Sequence, residues 1–453
     1  MAIKAGQILH VANQFVVDRI QTGGAGQLNI PQEKVHELGN YQSVGIVRDV
    51  PDLTFSLECL DVDVEVEALL TGNSPADSVR GVPTAFGGPT VGTYYELDKN
   101  KPIDIISPWK TPYGGFKAVQ GVAVPGLTLE SASYRYGLTE NAGETFSLRG
   151  DSIFYVPGTP WQDITDGATV TTATGVHTFE NGPALLYIEG GVNQYALSVT
   201  VLTAAGEYSR KLKGTDYTET AAAITFTGYT PAADDEIRVV YGATGEAGDL
   251  YTQEGDSPFG TGDAHLTHQG TSVKPAAIRG KDIDAYFSTA IPGVDLGAGV
   301  GVAVEIRWPD VQSATIDWRV TLEDDREFGN PRVVSREATD VPTVSGAIEV
   351  KPRSVEAFFT RLRQITGIDD VDQIMGPQSS VVGALRVELR NPESGGAEGA
   401  GAPAKGQPLK THYLDKVRFT MPGYEGRVQQ KLTTTLNWES DNGSLKIYDG
   451  ARV

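Results

Sequence analysis

The chain has one cysteine, six histidines and three methionines among 453 residues, and those scarcities remove whole classes of function. A lone thiol forms no intrachain disulfide. Cys59 alternates with Leu53, Phe55 and Leu57, the setting of a buried structural thiol rather than a nucleophile. Of the histidines, only His265 and His268 in "HLTH" sit close together. They lie in a Gly/Thr-rich stretch with no third ligand, whereas zinc takes three or four. Basic residues are also short, 37 against 58 acids for a net charge of −21, so the basic footprint of ordinary nucleic-acid binding is missing. No run reaches the ~18 apolar residues of a membrane helix. The opening "MAIKAGQILHVANQFVVDRI" has no charged leader before an apolar core, so assembly in a cytoplasm is expected.

Catalytic signatures are missing as well. "GGAG" at Gly23–Gly26 and "GAGVGV" at Gly297–Val302 are not followed by the Lys-Ser or Lys-Thr of a phosphate loop, and no G-x-S-x-G elbow occurs. "DVDVE" from Asp61 opens like a calcium loop, but has Val66 where glycine is required and Gly72 where the bidentate glutamate belongs. "EDDRE" at Glu323–Glu327 could bind a cation, but adjacent Asp324 and Asp325 most often mark a solvated turn. No catalytic residue, metal or cofactor is expected.

What the chain does contain is a repetition. "DVPDLTFSLECLDVDVEVEALLT" from Asp49 and "DVPTVSGAIEVKPRSVEAFFT" from Asp340 align at an offset of 291, then 289, and such self-similarity outranks other signals. In each copy a period-two strand leads into a helix-spaced apolar stripe: Val62, Val66, Leu69 and Leu70 in the first, Val355, Phe358, Phe359, Leu362 and Ile365 in the second. Asp61 or Asp63 and Ser354 are placed to cap these helices, Gly72 and Gly367 to stop them. The segments 127–156 and 413–448 read as matching hairpins, with Leu129 set against Leu414 at an offset of 285. Between the copies, 160–245 carries short strands with turns and no helix pattern, like a small immunoglobulin-like β-sandwich. Residues 242–270 read as a linker. Residues 72–103 and 391–407 read as loops, candidates with 408–410 for contacts between stacked copies.

The series "ELGNY…VGIVRDVPDLTFSLECLDV…VEALLTG", a long loop and "LESASYRYGLTENAGETFSLRGDS" resembles the tail tube proteins, or major tail proteins, of tailed bacterial and archaeal viruses. The resemblance spans residues 1 to about 156 and about 303 to 453. It implies a mainly β chain with two tandem tube-type sandwich or barrel domains, 1–158 and 271–453, each with a short flanking helix. The inserted immunoglobulin-like sandwich and linker occupy 159–270. It further implies a non-enzymatic virion subunit that forms rings stacked into a hollow tail tube for DNA ejection. Partners would be its own copies, tape-measure, terminator and tip or baseplate proteins, and double-stranded DNA in passage. Two domains per chain would make a pseudo-sixfold ring from three chains.

On this reading the bore repels DNA, because phosphate contacts would hold it, and an acidic lining is expected. Candidate bore-facing residues are Thr145, Ser147 and Arg149, then Thr433, Thr435, Asn437 and Glu439. Lys416, Arg418 and Arg149 sit awkwardly with that charge and call for acidic partners. Val66, Leu69, Leu70, Val355, Phe358 and Phe359 are expected to pack the repeat helices. A competing reading is a tail-tip or surface module whose insert binds host carbohydrate on Tyr187, Tyr195, Tyr208, Tyr217 and Tyr229.

Overall fold

The computed structural model describes most of residues 51–72, 101–110, 118–172, 175–244, 282–326, 335–351, 383–392, 404–420 and 434–450, with shorter stretches elsewhere. The chain is mainly β, built of antiparallel sheets with few helices. In Leu53–Cys59 the apolar residues are buried and Thr54 and Glu58 exposed, the alternation of a strand with one wet face. Gly143–Gly150 and Thr434–Ser440 bury every second residue in the same way.

The pairing pattern occurs twice. In the first unit the strands run Ile20–Ala25, Leu53–Cys59, Gly143–Gly150, then the distal half of Ala118–Gly137. In the second they run Val311–Arg319, Thr343–Val350, Thr434–Ser440, then Pro408–Phe419. Even the irregularities coincide. The bulge between Ile20 and Thr22, opposite Cys59 and Glu58, recurs between Val311 and Ser313, opposite Val350 and Glu349, at an offset of 291. Leu129 faces Leu148, and Phe419 faces Trp438, which corrects the hairpin offset of 285 to 290. The long strand of each unit bends where the backbone turns left-handed, at Gly126 (φ 67°) and at Lys416 (φ 53°). Lysine there accepts a conformation that glycine adopts without cost.

The two units form one sheet. Ser131–Gly137 pair with Arg319–Ser313 over seven consecutive residues, joining eight strands in a row. Tyr94–Glu96, within the expected loop, is a strand paired with Lys446–Tyr448. One apolar core runs through both units, from Leu53, Phe55 and Phe146 to Trp308, Trp318, Trp438 and Ile447. At Gly346 the sheet leaves no room for a side chain, since a Cβ would fall 2.0 Å from the Thr315 carbonyl oxygen and 2.5 Å from the Trp438 ring.

The first helix is Glu65–Leu70, and it ends at Gly72 (φ 71°) as expected. Its N-cap is Val64, with no side-chain cap, in place of the expected aspartates; Asp61 and Asp63 lie outside the described residues. Val66, Leu69 and Leu70 are buried. Val355 and Phe359 are half-buried against the core, while Phe358, Ser354 and Gly367 fall outside the described residues.

Residues 159–243 build sheets of their own. Four strands are ordered Thr159–Asp166, Glu236–Ala243, Ala196–Leu202, Tyr208–Arg210, and three others Val176–Thr178, Ala223–Phe226, Tyr217–Glu219. A short helix, Gly167–Thr172, corrects the expectation of none there. Asp166 starts it, accepting the Thr169 N–H at 2.6 Å.

Candidate functional site

The outward face of the eight-strand row is the candidate functional surface. Along one line across it stand Glu58, Thr145, Ser133, Asp317, Ser345, Glu439 and Arg418, each opposite the next. Thr145, Ser147 and Arg149 are half-buried on this face; Thr435, Asn437 and Glu439 are exposed on it. Thr433 lies outside the described residues. Strand alternation located these side chains because Phe146, Leu148, Leu436 and Trp438 had to turn inward.

The face is not acidic, against expectation. Its acids Glu58, Asp317, Glu349 and Glu439 are matched by Arg135, Arg149, Arg319 and Arg418, and serine and threonine fill much of the rest. Two of the awkward cations, Arg149 and Arg418, have local partners. Arg149 reaches Asp52 at 2.9 Å and Asp324 at 3.5 Å, and Arg418 reaches Asp441 at 2.7 Å. Burial pulls the Arg149 guanidinium down, but these acids more than offset it and hold it above the usual range. Arg149 and Arg418 are thus compensated where they stand.

Beneath the face, where the units meet, is a charged cluster that sequence reasoning missed. Lys410 of the second unit has its Nζ 2.6 Å from Glu67 Oε1 and 2.8 Å from both carboxylate oxygens of Glu144. Lys410 and Glu67 are fully buried, and Glu144 nearly so. Tyr134 donates to Glu67 Oε1 at 3.1 Å, and the Tyr136 hydroxyl lies 2.7 Å from His412 Nε2. Burial alone would discharge Lys410, but Glu144 and Glu67 overcome it and keep the ammonium above the ordinary lysine range. Burial, then the nearby carboxylates, push both tyrosines up. A parity signal existed: Glu144 shares the inward face of Phe146 and Leu148, and Lys410 and His412 that of Leu414.

His412, for which the sequence showed no convincing partner, thus has one, and His177 lies 3.2 Å from Asp163. Burial, then the Lys410 charge, hold the His412 imidazole well below its usual 6.5. The unfolded chain therefore binds a proton below pH ~6.5 that the folded chain refuses. Stability supplied by the neutral ring is present above that pH and is lost as pH falls, by about 1.4 kcal/mol per pH unit until the folded ring titrates. His412→Gln, compared with wild type in urea denaturation at pH 6.5 and 5.5, is expected to show a loss shallower by about 1 kcal/mol, because half of the unfolded rings are already charged at pH 6.5.

The insert contributes no aromatic platform from the described tyrosines. Tyr217 is buried, and burial beside Asp104 pushes the Tyr208 hydroxyl up. Tyr195 and Tyr229 are half-buried against the insert's core, and the Tyr187 side chain is outside the described residues. Among the described residues no group of three or more His, Cys, Asp or Glu side chains could hold a metal ion, while His265 and His268 lie outside them. No helix among the described residues is long and apolar enough to cross a membrane. No family model and no curated protein matches the chain.

Proposed function

We propose that the chain is a structural subunit of a viral tail tube, carrying two tube-type domains and an outward immunoglobulin-like insert, with no catalytic role. One observation carries the reading: the seven-residue junction at which Ser131–Gly137 of the first unit pair with Ser313–Arg319 of the second. It turns two equivalent four-strand units into one sheet by head-to-tail strand addition. Ile20–Ala25, the counterpart of Val311–Arg319, stands at the first end of the row and pairs with Leu53–Cys59 alone among the described residues. An edge strand of this kind invites a further strand. Head-to-tail addition between chains, repeated on the pattern of the internal junction, generates a ring if the rotation closes. Three chains then supply six units, the hydroxyl-rich face lining the bore through which DNA slides, and stacked rings make the tube. Tape-measure, terminator and tip or baseplate proteins are its remaining partners, in a virion tail assembled in the host cytoplasm.

Electron microscopy and mass measurement of the purified protein test this directly. Stacked rings of three chains with six repeated sheet segments are expected. A protein that stays monomeric at every concentration, or rings of six chains, would overturn the reading.

A further inference from the structure

The cluster of Lys410, Glu67 and Glu144 has the makings of a covalent site. We propose that Lys410 and Glu67 join through an amide bond, formed by the protein on itself, with Glu144 carrying the protons. The two reacting groups lie 343 residues apart in the chain, yet Nζ rests 2.6 Å from one oxygen of Glu67, which brings the carboxyl carbon within reach of the nitrogen. Groups held this way react as one molecule with an effective concentration far above any solution value.

The three carboxylate contacts divide the work. Glu144 holds the ammonium through both oxygens at 2.8 Å, the arrangement of a group that receives its proton. Glu67 is engaged through Oε1 alone, where Tyr134 also donates at 3.1 Å, and its Oε2 has no hydrogen-bond partner. Tyr134 thus supports the oxygen on which negative charge grows, as an oxyanion donor does, and the unengaged oxygen is the one that departs. The Tyr134 ring, 5.3 Å from Nζ, and the absence of exposed surface keep bulk water from reversing the step.

The step balances within the pair. The Lys410 ammonium gives a proton through Glu144 to Oε2 of Glu67, the freed amine attacks Cδ of the neutral acid, and a C–N bond forms. Glu144 then carries a second proton from the nitrogen to the departing oxygen. The Cδ–Oε2 bond breaks and one water leaves. A carboxylate and an ammonium become a secondary amide and water, with no oxidant and no outside reactant. Because the acids hold Lys410 in its ammonium form, the first transfer limits the rate and the bond matures slowly after folding. The product ties the first unit's helix to the second unit's strand, across the join between the two units.

Denaturing mass spectrometry of the intact chain, with peptide mapping, tests this without a variant. Expected is a mass lower than the sequence mass by one water molecule, and a branched peptide joining Glu67 to Lys410. Lys410→Arg, which keeps the cation, and Glu144→Gln, which keeps the volume but cannot carry protons, are expected to have the unbranched mass. Wild-type protein at full sequence mass after prolonged incubation would overturn the proposal, as would a branch at Glu144 or an undiminished branch in Glu144→Gln.

Discussion

Lys410→Met is expected to cost about 3–5 kcal/mol of stability against wild-type protein still at its full sequence mass, the loss found when one partner of a buried ion pair is removed. The magnitude follows from what is left behind. Glu67 and Glu144 are both buried and both within 2.8 Å of the missing ammonium, so the variant must bury two carboxylates with no cation, or protonate them. Methionine fills most of the lysine stem's volume, which keeps a cavity from dominating the result. The companion variant Lys410→Met/Glu67→Gln/Glu144→Gln separates charge from packing. It carries no net charge in the pocket and still offers Tyr134 and Tyr136 an amide oxygen, so it is expected to recover most of the loss. Chemical denaturation of the three proteins at neutral pH checks both statements; a Lys410→Met protein as stable as wild type would show that the cluster holds nothing together.

The same cluster marks where the sequence stopped being legible. Repetition and alternation placed the strands, the first helix and the outward side chains, because each depends on local spacing and on where apolar residues recur. Thr145, Ser147, Thr435 and Glu439 turn away from the core for that reason. Glu144, Lys410 and His412 did not announce themselves, since a charged letter inside a strand reads as wet until its partner is known, and Glu67 lies 343 residues from Lys410. The hairpin offset went wrong because conspicuous residues, Leu129 and Leu414, were matched across a strand whose bend at Lys416 only the backbone reveals. Net charge was misleading in another way: it is a property of the whole chain, and on the candidate face Glu58, Asp317, Glu349 and Glu439 are interspersed with Arg135, Arg149, Arg319 and Arg418. Asp166, directly ahead of Gly167–Thr172, was an available helix-start signal that the β-branched letters concealed.

Removal of residues 160–245 is expected to give insoluble protein, not a slimmer version of the same subunit. The insert is not hung on a linker: its core includes Ile106, Ala123 and Val156 of the first unit, packed with Trp161, Val199, Val239 and Tyr241. All three first-unit residues are nearly or wholly buried and would become a contiguous apolar patch on deletion, the kind that drives association. Polar ties cross the same boundary. Arg210 grips Asp151 at 3.1 Å, and Asp151 also accepts the Val333 N–H; Arg238 donates to the Pro102 carbonyl, and Gln162 to Asp104. Burial pushes the Asp104 carboxyl up even with Arg238 opposing it, which marks this boundary as dry. Two variants resolve the contributions. Asp151→Ala strands the buried Arg210 guanidinium and is expected to cost about 3–5 kcal/mol while leaving the protein soluble, with faster protease cleavage at the insert. The deletion carrying Ile106→Ser and Val156→Ser is expected to regain part of its solubility. Expression and ultracentrifugation of the plain deletion decide the matter, and a soluble, monodisperse product would mean that the insert only decorates the first unit.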